Sequence, residues 1–262
     1  MNQKDRHIND EAIILRHSEF GEADRLIILF TKSHGKLRAI AKGVRKIHSR
    51  KAGHLEPFTR VKLMLARGRN FWIITQAETV NAHLKIKENL LVTGYAAYCL
   101  ELVDRFMSEE VENPVLYTLL SSTLEHIAET EHASKAVRFF EIHILDSVGY
   151  RPELFNCIHC RKPIEAEDQF ISIREGGILC PKCGIRAEHT YPISMQTLKY
   201  LRHFQRNTLN DTMKTPISES ILKEMEKVMQ EYHIYLLERK INTLSFIREA
   251  RMMDESGKET SY

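Results

Sequence analysis

Two short cysteine pairs are the clearest chemical feature of this 262-residue sequence. A C-x2-C turn brings two sulfur atoms to the same side of a tight loop, and two such turns can surround one Zn²⁺ ion tetrahedrally. The pairs are separated by 19 residues, a spacing that is typical of zinc sites built in this way. The sequence therefore predicts one zinc ion with four ligands: Cys157, Cys160, Cys180 and Cys183. We expect Gly184 to supply backbone freedom just after the last ligand.

The predicted zinc ion has a structural role, because four thiolates leave no coordination position for water. Zinc nucleobase deaminases combine H-x-E with P-C-x-x-C, and His54-Leu55-Glu56 matches the first part. However, no proline precedes either cysteine pair, since Pro181 lies inside the second pair. His159, inside the first pair, is a less favoured alternative ligand. Two disulfides are a further alternative, which an expected cytosolic location disfavours.

Basic residues are concentrated near the start of the chain. The first 80 residues hold 16 Lys and Arg against 8 Asp and Glu, whereas the remaining residues hold 22 against 27. Such asymmetry suggests that this part binds a polyanion, although a solvated basic surface is the alternative. The stretch 36–51 contains no acidic residue, and residues 67–69 could extend it. The predicted contacts to nucleic-acid phosphates are Lys36, Arg38, Lys42, Arg45, Lys46, Arg50, Lys51, Arg67 and Arg69.

The residues around these cations predict a small β-barrel. Alternation and turn residues predict five strands, at 11–16, 25–31, 36–41, 61–67 and 71–77. Five strands with one long basic connection suit an oligonucleotide-binding (OB) barrel, although an SH3-like barrel would give almost the same pattern. Phe71 and Trp72 begin the last strand, where each could stack on a base or pack in the barrel.

After about residue 81 the apolar residues recur at helical spacing, so the predicted fold class is α+β. We expect helices at 88–107, 114–128, 134–149, 194–207 and 218–239, and a small hairpin at 169–174 and 176–179 between the cysteine pairs. The predicted domains are an OB domain at 1–80, a helical domain at 81–150 and 191–250, a zinc-binding insert at 151–190, and a disordered tail at 251–262.

The sequence favours a non-catalytic protein. We find no phosphate-binding loop, no G-x-S-x-G and no H-E-x-x-H motif. The longest apolar run, at 89–100, is too short to span a bilayer, and the charged N-terminus does not resemble a signal peptide. We therefore expect a soluble cytosolic protein that does not bind membranes. Cys99 lies in that apolar run and is expected in the core.

Taken together, several short segments resemble the RecO recombination mediator family over roughly residues 8–250. In chain order the segments are Glu11-Ala12-Ile13-Ile14-Leu15, Gly21-Glu22-Ala23-Asp24-Arg25-Leu26, Gly35-Lys36-Leu37, Ala41-Lys42-Gly43-Val44-Arg45, Leu55-Glu56-Pro57-Phe58 and Gly149-Tyr150-Arg151-Pro152-Glu153-Leu154, the last leading into the first cysteine pair. Their order and spacing are more specific than any single segment.

The resemblance implies an OB domain followed by a helical domain with a zinc knuckle. It also implies binding of single- and double-stranded DNA and annealing of complementary strands in the cytoplasm, at the nucleoid. The expected partners are RecR, the C-terminal tail of the single-stranded-DNA-binding protein and, indirectly, RecA, which the family helps to load. By matching position, the resemblance adds Arg25 to the DNA-binding residues. An RNA-binding or ribosome-associated OB protein, or an adaptor for acidic proteins, would share the same sequence features.

Overall fold

The computed structural model describes residues 7–130 and 132–259, with the side chains described as far as residue 254. The chain divides into two compact units. The first comprises Met1–Thr130 and Asn242–Tyr262, and the second comprises Glu131–Ile241. This division differs from the predicted one, because the helices at 90–129 belong with the barrel rather than with the later helices.

The first unit contains a closed five-stranded barrel with the strand order β1-β2-β3-β5-β4. Its strands are β1 His7–Phe20, β2 Asp24–Thr31, β3 Gly35–Ala41, β4 Arg60–Arg67 and β5 Trp72–Asn81. All neighbouring pairs are antiparallel except β3 and β5, which pair in parallel through Ala39–Trp72 and Ile40–Ile73. The predicted α+β class with an N-terminal OB-type barrel is therefore confirmed.

Alternation places apolar residues inside this barrel. In β4, Val61, Leu63 and Leu65 are buried, while Lys62 and Met64 between them are exposed. Because successive side chains of a strand point to opposite faces, one face of β4 fills the core and the other faces solvent. A shift in the β1–β2 register between Ile14 and Arg16 marks a bulge in the longest strand.

Three helices complete the first unit: α1 Leu90–Phe106, α2 Pro114–Glu129 and α8 Thr243–Glu259. The side chains of Asn89 and Asn113 accept the N–H groups of Val92 and Leu116 and so cap α1 and α2. Two short 3-10 turns lie at Ala52–Leu55 and Leu84–Glu88.

The prediction of a disordered tail from residue 251 is wrong as far as residue 259. Helix α8 includes 251–259, and the rest of the predicted tail, 260–262, lies outside the described residues. Leu244, Ile247 and Ala250 are buried on one side of α8. In addition, the Glu101 carboxylate accepts the backbone N–H groups of Asn242 and Thr243, which fixes the start of the helix.

The second unit contains a three-stranded sheet among helices. Its helices are α3 Ala133–Ser147, α4 Pro181–Gly184, α5 Met195–Arg206, α6 Leu209–Lys214 and α7 Glu219–Leu237, and its strands are β6 Gln169–Ser172, β7 Gly177–Leu179 and β8 Thr190–Ile193. The sheet order is β7-β6-β8. The predicted hairpin is β6–β7, whereas β8 and α6 were not predicted. Across residues 7–130 and 132–259, no helix is both long and apolar enough to cross a membrane.

Candidate metal centre and nucleic-acid interface

The four paired cysteines come together in the second unit. Cys157 and Cys160 lie in the loop that precedes β6, Cys180 immediately precedes α4, and Cys183 lies within α4. Their sulfur atoms are all within 4.8 Å of one another. The Sγ atoms of Cys160 and Cys180 are 3.9 Å apart, close to the spacing of about 3.8 Å that tetrahedral zinc thiolates require. The sulfur atoms are therefore placed to hold one metal ion.

Backbone geometry prepares the first cysteine as a ligand. The Cys180 N–H donates to Sγ of Cys157 at 3.4 Å. Burial opposes ionisation of Cys157, but the N–H groups of Cys160, Cys180 and His159 outweigh it and lower the pKa of this thiol to about 6. Conversely, hydrogen bonding to Cys180 raises the pKa of the Cys183 thiol to about 12. Because thiolate is the metal-binding form, the backbone N–H groups around Cys157 favour its role as a ligand.

The alternative metal ligands do not join this cluster. His159 Nε2 lies 2.8 Å from the Glu175 carboxylate. His54 belongs to the deaminase-like H-x-E motif, and its Nδ1 atom lies 2.7 Å from Thr79 Oγ1. Glu56 binds Arg25 at 2.9 Å, and although burial opposes it, hydrogen bonds from Arg25 and His17 lower the pKa of Glu56. The cluster thus contains four cysteines and no other ligand type among the described residues.

The glycine after the second pair has a different role from the predicted one. Gly184 does not have a positive φ, so its conformational freedom is not used. Instead, a Cβ atom at residue 184 would overlap the ring of Phe170. The left-handed conformation occurs after the first pair, at Arg161 (φ 62°). Close packing, rather than a turn, therefore requires glycine at residue 184.

Four of the ten predicted DNA-binding residues are exposed and have no ion-pair or hydrogen-bond partner for their side chains among the described residues. They are Lys42, Lys46, Arg50 and Arg69. The first three belong to the loop that joins β3 and β4, and Ile47 beside them is 96% exposed. The start of this loop is fixed, because the Gly43 N–H donates to Asp24 at 2.7 Å. These cations are available to an external anion.

The other six predicted residues already have partners inside the first unit. Carboxylates pair with five of them: Arg25 with Glu56, Lys36 with Asp104, Arg38 with Glu109, Arg45 with Glu19, and Arg67 with Glu110. Lys51 donates to the Ile74 carbonyl at 3.0 Å. Lys36 is only 12% exposed and also donates to the Asp104 carbonyl. The sequence did not reveal these pairs, because most partners lie far away along the chain.

Comparison with known proteins identifies the family. A family model described as "Recombination protein O N terminal" matches residues 4–83, and one described as "Recombination protein O C terminal" matches residues 87–245. The chain belongs to the RecO family. It is 38% identical to the DNA repair protein RecO of Roseiflexus sp. (strain RS-1) over 251 residues, which cover 95% of this chain and 88% of the relative. The chain is also 35% identical to the DNA repair protein RecO of Dehalococcoides mccartyi, over 96% of this chain and 99% of the relative. It is 30% identical to the DNA repair protein RecO of Bacillus pumilus, over 86% of this chain and 88% of the relative.

In this member of the RecO family, the two aromatic candidates differ. Trp72 is 8% exposed and belongs to the barrel core. Phe71 is half-buried, with Arg38 above its ring at 5.0 Å and the Phe20 ring 6.0 Å away. Phe20 itself is 40% exposed and was not singled out from the sequence. The feature that could have drawn attention to Phe20 is its position at the end of a strand, directly before the turn at Gly21.

Proposed function

We propose that this chain is a non-catalytic DNA-binding protein that anneals complementary strands. With RecR, it would help RecA replace the single-stranded-DNA-binding protein, whose C-terminal tail it would contact. Membership of the RecO family supports a role in DNA repair. The observation that carries the DNA-binding proposal is the set of exposed, unpaired cations on the barrel unit, namely Lys42, Lys46, Arg50 and Arg69.

The mechanism follows from charge. Two DNA strands repel each other through their phosphates, and protein cations that replace condensed counterions reduce that repulsion. The loop with Lys42, Lys46 and Arg50 could contact one backbone without reading its bases. Annealing would then depend on base pairing between the two strands, so the chain needs no catalytic residue. The cytoplasm, at the nucleoid, is the expected location of such an activity.

The metal proposed for the cysteine cluster is zinc. Four sulfur ligands favour a soft or borderline ion, and tetrahedral thiolate sites are characteristic of Zn²⁺. Cys157, Cys160, Cys180 and Cys183 would hold it. The ion would cross-link the loop before β6 to helix α4, and it would supply stability rather than chemistry.

Strand annealing tests this function. The full chain should speed the pairing of complementary labelled oligonucleotides and should bind single strands and duplex in fluorescence anisotropy. Charge reversal at Lys42, Lys46 and Arg50 should weaken binding at least tenfold and reduce the log–log salt slope by about 2, at roughly 0.7 per lost single-strand contact. The matched control reverses three exposed lysines of the helical regions: Lys87, Lys223 and Lys240.

Three outcomes would contradict the proposal: equal losses in both triple variants, no binding at low salt, or preference for matched RNA over DNA. The RNA preference would favour the RNA-binding alternative. Adding RecR, or single-stranded-DNA-binding protein with and without its C-terminal tail, tests the proposed partners in the same assay.

A further inference from the structure

An acidic turn lies directly on the barrel. The segment 108–112, between α1 and α2, has the sequence Ser-Glu-Glu-Val-Glu. The Glu110 N–H donates to the Lys36 carbonyl at 2.9 Å, and Lys36 and Glu109 form a parallel β-bridge. The turn therefore binds the backbone of strand β3 directly.

Two carboxylates of this turn pair with arginines of the barrel. The Glu109 carboxylate is 3.6 Å from Arg38, and the Glu110 carboxylate is 3.1 Å from Arg67. Trp72 donates from Nε1 to the same Glu110 oxygen at 3.4 Å. These groups and Phe71 surround a small cavity of about 70 Å³. Two carboxylates thus lie where arginine and aromatic groups converge.

The approach of the turn is unusually close. A Cβ atom at Gly35 would overlap the Val111 backbone, so only glycine allows the turn to lie this near to β3. Glu110 has a φ of 60°, a left-handed conformation that L residues seldom adopt and that costs backbone energy. The docked turn is therefore held by contacts with the barrel against its own backbone preference.

From these contacts we propose that the rim formed by Arg38, Arg67 and Phe71 is a binding surface for single-stranded nucleic acid, and that Glu109 and Glu110 compete with the phosphates for it. This inference rests on the proposed DNA binding. To the predicted contacts Arg38 and Arg67 it adds a stacking ring, Phe71, and a built-in competitor.

The chemistry of the rim suits this ligand. A guanidinium binds phosphate and carboxylate oxygens in the same way, so one can replace the other. Both ion pairs are easily displaced because they are exposed: Arg67 and Glu110 are 51% and 55% exposed, and Arg38 and Glu109 are 42% and 52% exposed. The half-buried ring of Phe71 offers a stacking partner that an unpaired base can reach and a base within a duplex cannot.

Neutralising the competitor tests the proposal. In the full chain, Glu109→Gln with Glu110→Gln should tighten binding of a fluorescein-labelled oligothymidylate about tenfold at low salt. The log–log salt slope should become steeper by about 1.4, since two new phosphate contacts contribute roughly 0.7 each. The control variant, Glu78→Gln with Glu88→Gln, makes the same charge change at two exposed carboxylates outside the turn, neither of which has a side-chain partner among the described residues. Equal effects in the two variants would overturn the competition.

A second variant tests the surface itself. Phe71→Leu should weaken binding of the same single strand at least fivefold while changing duplex affinity less than twofold. Thermal melting confirms that each variant is folded. If Phe71→Leu binds single strands as tightly as the unchanged protein, the stacking surface is wrong. If the unchanged protein binds no oligonucleotide at all, the proposed DNA binding itself fails, so the two failures are distinguishable.

Discussion

Arg60 of β4 donates from Nη1 to the Glu125 carboxylate of α2 at 2.8 Å and, from the same nitrogen, to the Ser121 hydroxyl at 2.8 Å. The Arg60 side chain is only 24% exposed. In addition, the Phe30 ring of the barrel packs against the Tyr117 ring of α2, with ring centroids 6.1 Å apart. These contacts explain why the barrel and α2 belong to one unit.

Replacing Arg60 should therefore destabilise the first unit. Arg60→Met retains the length of the side chain but leaves Glu125 and Ser121 without their donor, which should lower the free energy of unfolding by about 1–3 kcal/mol. Urea denaturation measures the change. The control is Lys62→Met on the same strand, because Lys62 is exposed and its side chain has no partner in the part of the chain that the structure describes. Its effect should be within about 0.5 kcal/mol. Equal effects would show that the Arg60 contacts do not stabilise the unit.

Removing the metal should destabilise the second unit. Cys157→Ser or Cys180→Ser takes away one sulfur of the tetrahedron, so metal content should fall from one ion per chain and the melting temperature should drop by several degrees. A chelator should have the same effect on the unchanged protein. Elemental analysis and thermal melting provide the measurements. Cys99→Ala is the control for metal content, since Cys99 lies in α1 of the first unit. Unchanged stability after complete metal loss would contradict a structural role.

The strands and the metal site were predictable because their signals are local. Alternation within β4 and the two-residue spacing of each cysteine pair can be read within a few positions. Strand β8 was missed for the opposite reason. Its sequence, Thr-Tyr-Pro-Ile, contains a proline and has only one buried residue, so its strand character comes from pairing with β6.

The tail and the cation pairs were not predictable because they depend on distant residues. Helix α8 begins where Glu101 accepts the N–H of Thr243, a contact across 142 positions. Likewise, Lys36 is paired with Asp104, 68 positions away. Charge composition showed correctly that the barrel region is rich in cations, but it could not show which of them the fold neutralises.

Gly184 gives a sharp test of packing beside the cysteines. Gly184→Ala should lower the free energy of unfolding by about 1–3 kcal/mol, because the added methyl group would overlap the Phe170 ring. Gly53→Ala is the control, since a Cβ at residue 53 meets nothing within 4 Å and its φ is not positive; it should be neutral or slightly stabilising. Thermal melting with metal analysis distinguishes lost packing from lost metal. A neutral Gly184→Ala would show that Phe170 can move aside.

The stability of the second unit should fall in mild acid because of His233. Burial of its ring lowers the pKa of His233 to about 4, from an ordinary value near 6.5. In the folded protein the His233 ring therefore stays neutral, whereas in the unfolded chain it takes up a proton. Stability that is present above pH 6.5 is lost as the pH falls towards about 4, by about 3 kcal/mol in total. Urea denaturation between pH 7 and pH 4.5 measures this loss.

His233→Gln should reduce the slope of stability against pH near pH 5 by about 1.4 kcal/mol per pH unit, because one proton fewer is taken up on unfolding. Some slope should remain, because burial also lowers the pKa of His143 in the same unit. His48→Gln, at an exposed loop residue, should leave the profile unchanged. Identical slopes for His233→Gln and the unchanged protein would exclude His233 as the source.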